Sequence, residues 1–169
     1  MPDISGYHQW IVFAHIVGVF IFLLAHGVSA GVLLRLRAER DPAVVRTLLD
    51  LSSRTFGVMG LGFLIWFFGG ILAGFSGNYW TAEGHRWIWA SLAVAIVVTG
   101  LMTPMAAIYL NRVRTAVGID TKTREVDRNM VVDAEALDTA IRSGRPMLVA
   151  AIGLAGVAIL AWLMMFKPF

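Results

Sequence analysis

The chain contains no cysteine. Disulfides, thiolate metal sites and covalent haem attachment through Cys-x-x-Cys-His are therefore excluded. Charge is scarce as well: 15% of the 169 residues are charged, against roughly 25% in soluble domains. None of the 11 Asp and Glu falls within the four long apolar stretches of the chain. Carboxylates are the usual currency of membrane ion coupling, so a carboxylate-driven antiporter is excluded, while a histidine-only proton or ion path is not. The motifs of soluble catalysis are missing too, with no G-x-S-x-G, HExxH, P-loop or Rossmann fingerprint. Ser29 lies one turn from His26, but without an orienting acid the pair reads as packing. The expectation is a protein that is not an enzyme.

What is present is a chain that prefers hydrocarbon to water. Hydrophobic residues make up 58% of it, and mean hydropathy is +0.73. Four apolar stretches, approximately Trp10–Leu34, Phe56–Gly77, Trp87–Leu110 and Pro146–Phe166, are each long enough to cross a ~30 Å hydrocarbon core. In lipid every backbone N–H and C=O must bond within its own segment, so these runs are expected as helices. Barrel strands would alternate in polarity, and these do not. The predicted fold is all-α: one integral membrane domain spanning residues 1–169, a four-transmembrane-helix up-down bundle in the lipid bilayer.

The sequence pI of about 9.8 invites a nucleic-acid reading, but the placement of the charge argues against it. Of the 14 Lys and Arg, twelve lie in or beside the connections at about 35–55 and 111–145, and only Arg86 and Lys167 fall on the other side. By the positive-inside rule these connections are cytoplasmic and both termini lie outside, in a bacterial-type inner membrane. Tyr7, Trp10, Tyr79, Trp80, Trp87, Trp89 and Trp162 fall at the outer boundary as an interfacial belt. The start, MPDISGYHQ, has no Lys or Arg, so the first helix is expected as a retained anchor rather than a cleaved signal.

Local signals divide the connections. Asp41 followed by Pro42 is an N-cap and first-turn pair, predicting that the second helix begins near residue 42 and runs on into the membrane. Asp133 is expected to cap a short helix through about Ile141, Gly144 to end it and Pro146 to open the last span. Gly27-x3-Gly31, Gly70-x3-Gly74 and Ala151-x3-Ala155 read as close-packing surfaces, with self-association the lesser reading. Pro104 should kink the third helix and free a carbonyl, which Thr99 or Thr103 could satisfy.

The first span carries two histidines, His15 and His26, with His8 just ahead of it. At about 100° per residue all three share one helical stripe, and at about 1.5 Å per residue His15 and His26 stand roughly 16 Å apart along the axis. Intramembrane ionisable groups default to a functional hypothesis, and four readings compete. One is structural, with neutral imidazoles bonded across helices. Another is haem b, with His15 or His26 as axial ligand; Met102 and Met105 on the third helix lie at nearly the depth of His26, and a parallel homodimer would instead face His15 to His15 and His26 to His26. A third is copper or another transition metal at the outer face, held by His8, His15 and His85 with Met1, Met164 or Met165 adding thioethers. The fourth is the histidine-only path named above.

At AHIVG, residues Ala14, His15, Ile16, Val17 and Gly18, the chain resembles small bacterial four-helix membrane proteins of the copper-resistance-D-like and predicted integral-membrane-protein type. Their first helix often carries leucine, histidine, two aliphatic residues and glycine; their later tryptophan-x-glycine is replaced here by Leu23–Gly27. The resemblance covers one helix of four. It implies a helix-one histidine that handles haem or copper, and so a membrane subunit in electron transfer, alone or within a larger membrane complex. The opposing expectation is an accessory subunit whose histidines only join helices.

Overall fold

The computed structural model describes residues 4–80, 85–126 and 132–169, and these are helical throughout apart from turns and one isolated bridge between Ile119 and Val126. A single 3-10 turn, Ser5–Tyr7, leads into α1 (His8–Leu36), followed by α2 (Pro42–Ser76), α3 (Arg86–Ala116), the short α4 (Ala134–Ile141) and α5 (Arg145–Phe166). Four of these helices are long and apolar enough to cross a membrane, α4 continuing into the fourth. The protein is thus a multi-pass helical membrane protein. Its surface agrees: Leu24, Trp10 and Leu154 are 73%, 72% and 74% exposed, an arrangement that water penalises and acyl chains do not.

Helix ends follow the local chemistry. The Asp41 carboxylate accepts from Ala43 N–H at 2.9 Å with Pro42 in the first turn, and Asp133 accepts from Ala136 N–H at 2.9 Å. At the far end of α2, Tyr79 N–H bonds back to Gly74 C=O at 2.8 Å and Asn78 N–H to Phe75 C=O at 3.1 Å, with Asn78 at φ 56°. The end of α3 repeats this pattern: Ile119 N–H reaches Arg114 C=O at 2.9 Å across Gly118 at φ 73°. Both are Schellman closures, which need a left-handed residue. In the connections, Glu39 accepts from Asp41 and Arg40 N–H groups, and Asp120 from Thr123 and Lys122 N–H groups at 2.7 Å each. These bonds hold both carboxyls below their ordinary pKa.

The helices associate as two pairs. Along α1 and α2 the partners run in opposite order: His8 meets Ser76, His15 meets Trp66, Phe22 meets Gly62, and Ser29 meets Thr55 and Ser52. The approach is tight enough to require glycine. A Cβ at Gly18 would fall 2.5 Å from Trp66 N, and one at Gly62 2.5 Å from Phe22 N. The second pair is α3 with α5, where a Cβ at Gly156 would meet Val98 at 2.8 Å. Between the pairs, α1 touches α5 and α2 touches α3 over short lengths only. The densest core joins all five helices at the end bearing the Arg-rich connections, the basic end, around Leu36, Val45, Leu49, Tyr109, Val113, Ile141 and Val149.

Several expectations need correction. Gly27 and Gly31 have open space beside them, and Ala151 and Ala155 are exposed, so neither motif is a contact within the chain. Gly70 and Gly74 do make contacts, against the His15 ring and against Trp80 with Ile88. Pro104 lies inside α3, and neither Thr99 nor Thr103 makes a side-chain hydrogen bond among the described residues, so neither hydroxyl takes up the carbonyl that the proline frees. Trp87 is 5% exposed, so it belongs to the interior and not to the boundary belt.

Gly18→Ala should therefore lose about 1–3 kcal/mol of stability through overpacking, whereas Gly27→Ala should be neutral or gain up to about 1 kcal/mol of helix propensity; thermal unfolding in one detergent compares them. Because the folded Asp120 carboxyl titrates low, its turn is intact above the ordinary aspartate range near ~3.9 and opens only as pH falls through the depressed value. The amide shifts of Lys122 and Thr123 report that opening.

Candidate functional site

Two histidines meet at the end opposite the basic one. The Ser76 hydroxyl donates to Ala73 C=O at 3.2 Å, which leaves its oxygen to accept from His8 Nδ1–H at 2.8 Å. The Tyr79 ring stands edge-on to His8, with centroids 5.9 Å apart, and stacks on His85 at 5.0 Å. Lys167, in the left-handed conformation after α5, holds its ammonium 5.8 Å from the Tyr79 ring centre and 5.3 Å from that of Trp87. His8 and His85 are therefore neighbours separated by an aromatic ring. His15 lies about two turns deeper on α1 and bonds elsewhere.

His8, His15 and His85 do not converge on one point, and among the described residues no group of three or more His, Cys, Asp or Glu is placed to hold a metal. Met164 and Met165 are 39% and 79% exposed on the outside of α5. Met1 lies outside the described residues. The Tyr79 and Lys167 arrangement was absent from the sequence reading, since nothing in a lone lysine after an apolar run marks a cation–π contact.

His15 is held between α1 and α2. Its Nδ1 donates to Trp66 C=O at 2.6 Å, and its ring rests on Gly70, where a Cβ would fall 3.0 Å from Cε1. This carbonyl belongs to α2, and the bond reaches it because Gly18, Gly69 and Gly70 let the helices close. A backbone oxygen accepts only, so the network assigns the proton to Nδ1 and leaves the Nε2 lone pair unshared. That is the arrangement in which a second partner orients a histidine for a further bond through Nε2. It is equally a complete interhelical tie.

His26 differs. Its ring stacks on Phe22, with centroids 5.3 Å apart and planes 12° apart, and it makes no hydrogen bond among the described residues. Phe22 in turn meets Trp66 and Phe63 of α2, so an aromatic wall fixes one face of the imidazole. On the other side stands Gly153 of α5. A Cβ built there would lie 3.9 Å from His26 Nε2, 3.3 Å from Met102 Sδ and 2.8 Å from Met102 Cε. An imidazole nitrogen from α1 and the end of a thioether side chain from α3, its methyl nearest, thus both lie within 4 Å of one point on α5. Met102 is 8% exposed, while Met105 packs half-buried against the core and is not brought to His26 by any observed contact.

The equal depth of His26 and Met102 was readable by counting residues in from each boundary. Gly153 was not: among 17 glycines nothing in its neighbours distinguishes it. Nor was the role of the Trp66 carbonyl, because every residue has one. The indole N–H of the same Trp66 is buried without a partner among the described residues. In chemical terms the site offers one unshared imidazole nitrogen and one soft sulfur in a water-poor setting. Comparison with protein-family models, with curated proteins and with solved structures gives no match.

Nitrogen-15 spectra of histidine-labelled protein in detergent should show His15 protonated at Nδ1, with an Nε2 that does not exchange tautomers. A proton resident on Nε2 would contradict the bond to Trp66.

Proposed function

We propose that this chain is a non-enzymatic subunit of a bacterial-type inner membrane in which His26 and Met102 ligate a redox-active metal of the copper class, serving electron transfer. The observation that carries this reading is that His26 Nε2 and Met102 Sδ both lie within 4 Å of the Cβ position of Gly153. Soft thioethers with imidazole select copper in its reduced state over hard cations. Both ligands are neutral, so neither buries a charge of its own in the low-dielectric interior. The resemblance of the first helix to the copper-resistance-D-like group rests on His15 and supports haem or copper handling in general, not this pair of ligands. Threading with both termini outside, in up-down order, rests on the twelve Lys and Arg of the two long connections.

Haem b remains the next reading for the same two ligands, with His/Met axial ligation. An ion requires the flexible Met102 side chain to turn its sulfur, in place of its methyl group, toward His26. The accessory reading has an observation of its own: His15 is already tied to Trp66 C=O and His8 to Ser76, so two of the stripe's three imidazoles have partners inside the chain.

Competition against a coloured chelator of reduced copper tests the proposal in purified protein. One equivalent should bind. His26→Ala and Met102→Leu should each weaken binding by about tenfold or more, as loss of a ligand does, and His15→Ala should not. A Soret band in the purified protein that His26→Ala abolishes would replace copper with haem. A colourless preparation that takes up neither would leave the accessory reading.

A further inference from the structure

A buried arginine at the basic end has no acid beside it among the described residues. Arg114, on the last turn of α3, is 8% exposed. Its guanidinium donates to Asn111 Oδ1 at 3.0 Å and to Ser53 Oγ of α2 at 3.4 Å, both neutral. Five N–H donors are available on such a group, so most of its capacity is unspent. Among the described residues no carboxylate pairs with it. Asp50 is taken by Arg54, and Asp120 by its own turn. Another cation, Arg124, reaches the same stretch of α2, one turn along from Ser53. That residue lies in the α3–α4 connection in the left-handed conformation, its guanidinium 5.5 Å from the centre of the Phe56 ring.

A buried guanidinium without a counter-charge is unfavourable, and a second cation on the same stretch of α2 adds to the demand for an anion. Phe56, one turn into the apolar part of α2 from Ser53, is 56% exposed and faces outward where hydrocarbon would be. α2 and α3 touch only over a short length, and this corner, where Arg114 reaches Ser53, belongs to it, with Phe56 and Arg124 exposed at its rim. An exposed cation, an exposed aromatic ring and a buried guanidinium without a counter-ion among the described residues, at the junction of two spans, match the head and upper chain of a phospholipid.

We infer that Arg114 and Arg124 bind the phosphate of an anionic lipid headgroup in the seam between α2 and α3, with Phe56 against its acyl chains. Arginine suits the task because its planar fork takes two phosphate oxygens at once. Basic pockets between spans recognise such headgroups by the same physics. The nearby Arg112 is exposed and makes no side-chain hydrogen bond or ion pair among the described residues, so it serves as a control cation at similar depth.

Native mass spectrometry of delipidated protein tests this, with phosphatidylglycerol, phosphatidylcholine or inorganic phosphate added to the detergent. One phosphatidylglycerol per chain should be retained, at about tenfold higher occupancy than phosphatidylcholine, and inorganic phosphate should not displace it. Arg114→Gln and Arg124→Gln should each lower that occupancy by about tenfold, in line with loss of a charge-assisted bond, while Arg112→Gln should not. Should Arg114→Gln fail to fold, Arg124→Gln, at an exposed loop position, still decides the matter. Equal retention of the two lipids, displacement by inorganic phosphate, or undiminished retention by Arg124→Gln would overturn the inference.

Discussion

The contact of α1 on α2 is the constraint on which the rest of the structure depends. In hydrocarbon two apolar helices gain nothing from hiding side chains from water, since lipid is as apolar as leucine; they associate through close backbone approach and interhelical hydrogen bonds. Gly18 and Gly62 supply the approach. His8 to Ser76, His15 to Trp66 C=O and the Ser29, Ser52 and Thr55 hydroxyls supply the bonds, spaced along most of the interface. Once that pair is fixed, the rotation of α1 about its axis is fixed as well. His26 is then turned against Phe22, toward α3 and α5, rather than toward lipid.

The two pairs meet loosely along much of their length and firmly at the basic end. That distribution bears on both sites discussed above. Among the described residues, some polar groups remain short of partners: His26, the Trp66 indole and, at the basic end, Arg114, whose two bonds go to neutral groups. A buried group left short of partners is costly in a low-dielectric medium, so each marks a place where a ligand would stabilise the fold. A thioether beside an imidazole attracts a soft ion, while a buried guanidinium without a counter-charge attracts an anion.

What was legible in the sequence divides along the range of the interaction. Asp41 with Pro42 and Asp133 announced helix starts because a cap acts within three residues of itself. The four spans were legible because hydropathy is additive along one segment. The depth match of His26 with Met102 followed from counting inward from the boundaries. The glycine motifs misled. Gly27 and Gly31 satisfy the spacing and face open space, while Gly18, Gly62 and Gly153 make the decisive approaches without any such pattern. Which face of a helix turns inward is set by its partner, and spacing on one strand of sequence cannot say where that partner lies. The stripe arithmetic placed His8, His15 and His26 on one side of α1, yet the first two turn to α2 and the third to the seam with α3 and α5.

The central claim is that one nitrogen of His26 and the sulfur of Met102 share a single ligand. X-ray absorption at the copper edge, on protein loaded with one equivalent of reduced copper, addresses it most directly. The account predicts a first shell containing one sulfur and imidazole nitrogen, with the sulfur scatterer absent in Met102→Leu. A shell of nitrogen or oxygen alone in the unaltered protein, or one that Met102→Leu leaves unchanged, would contradict it.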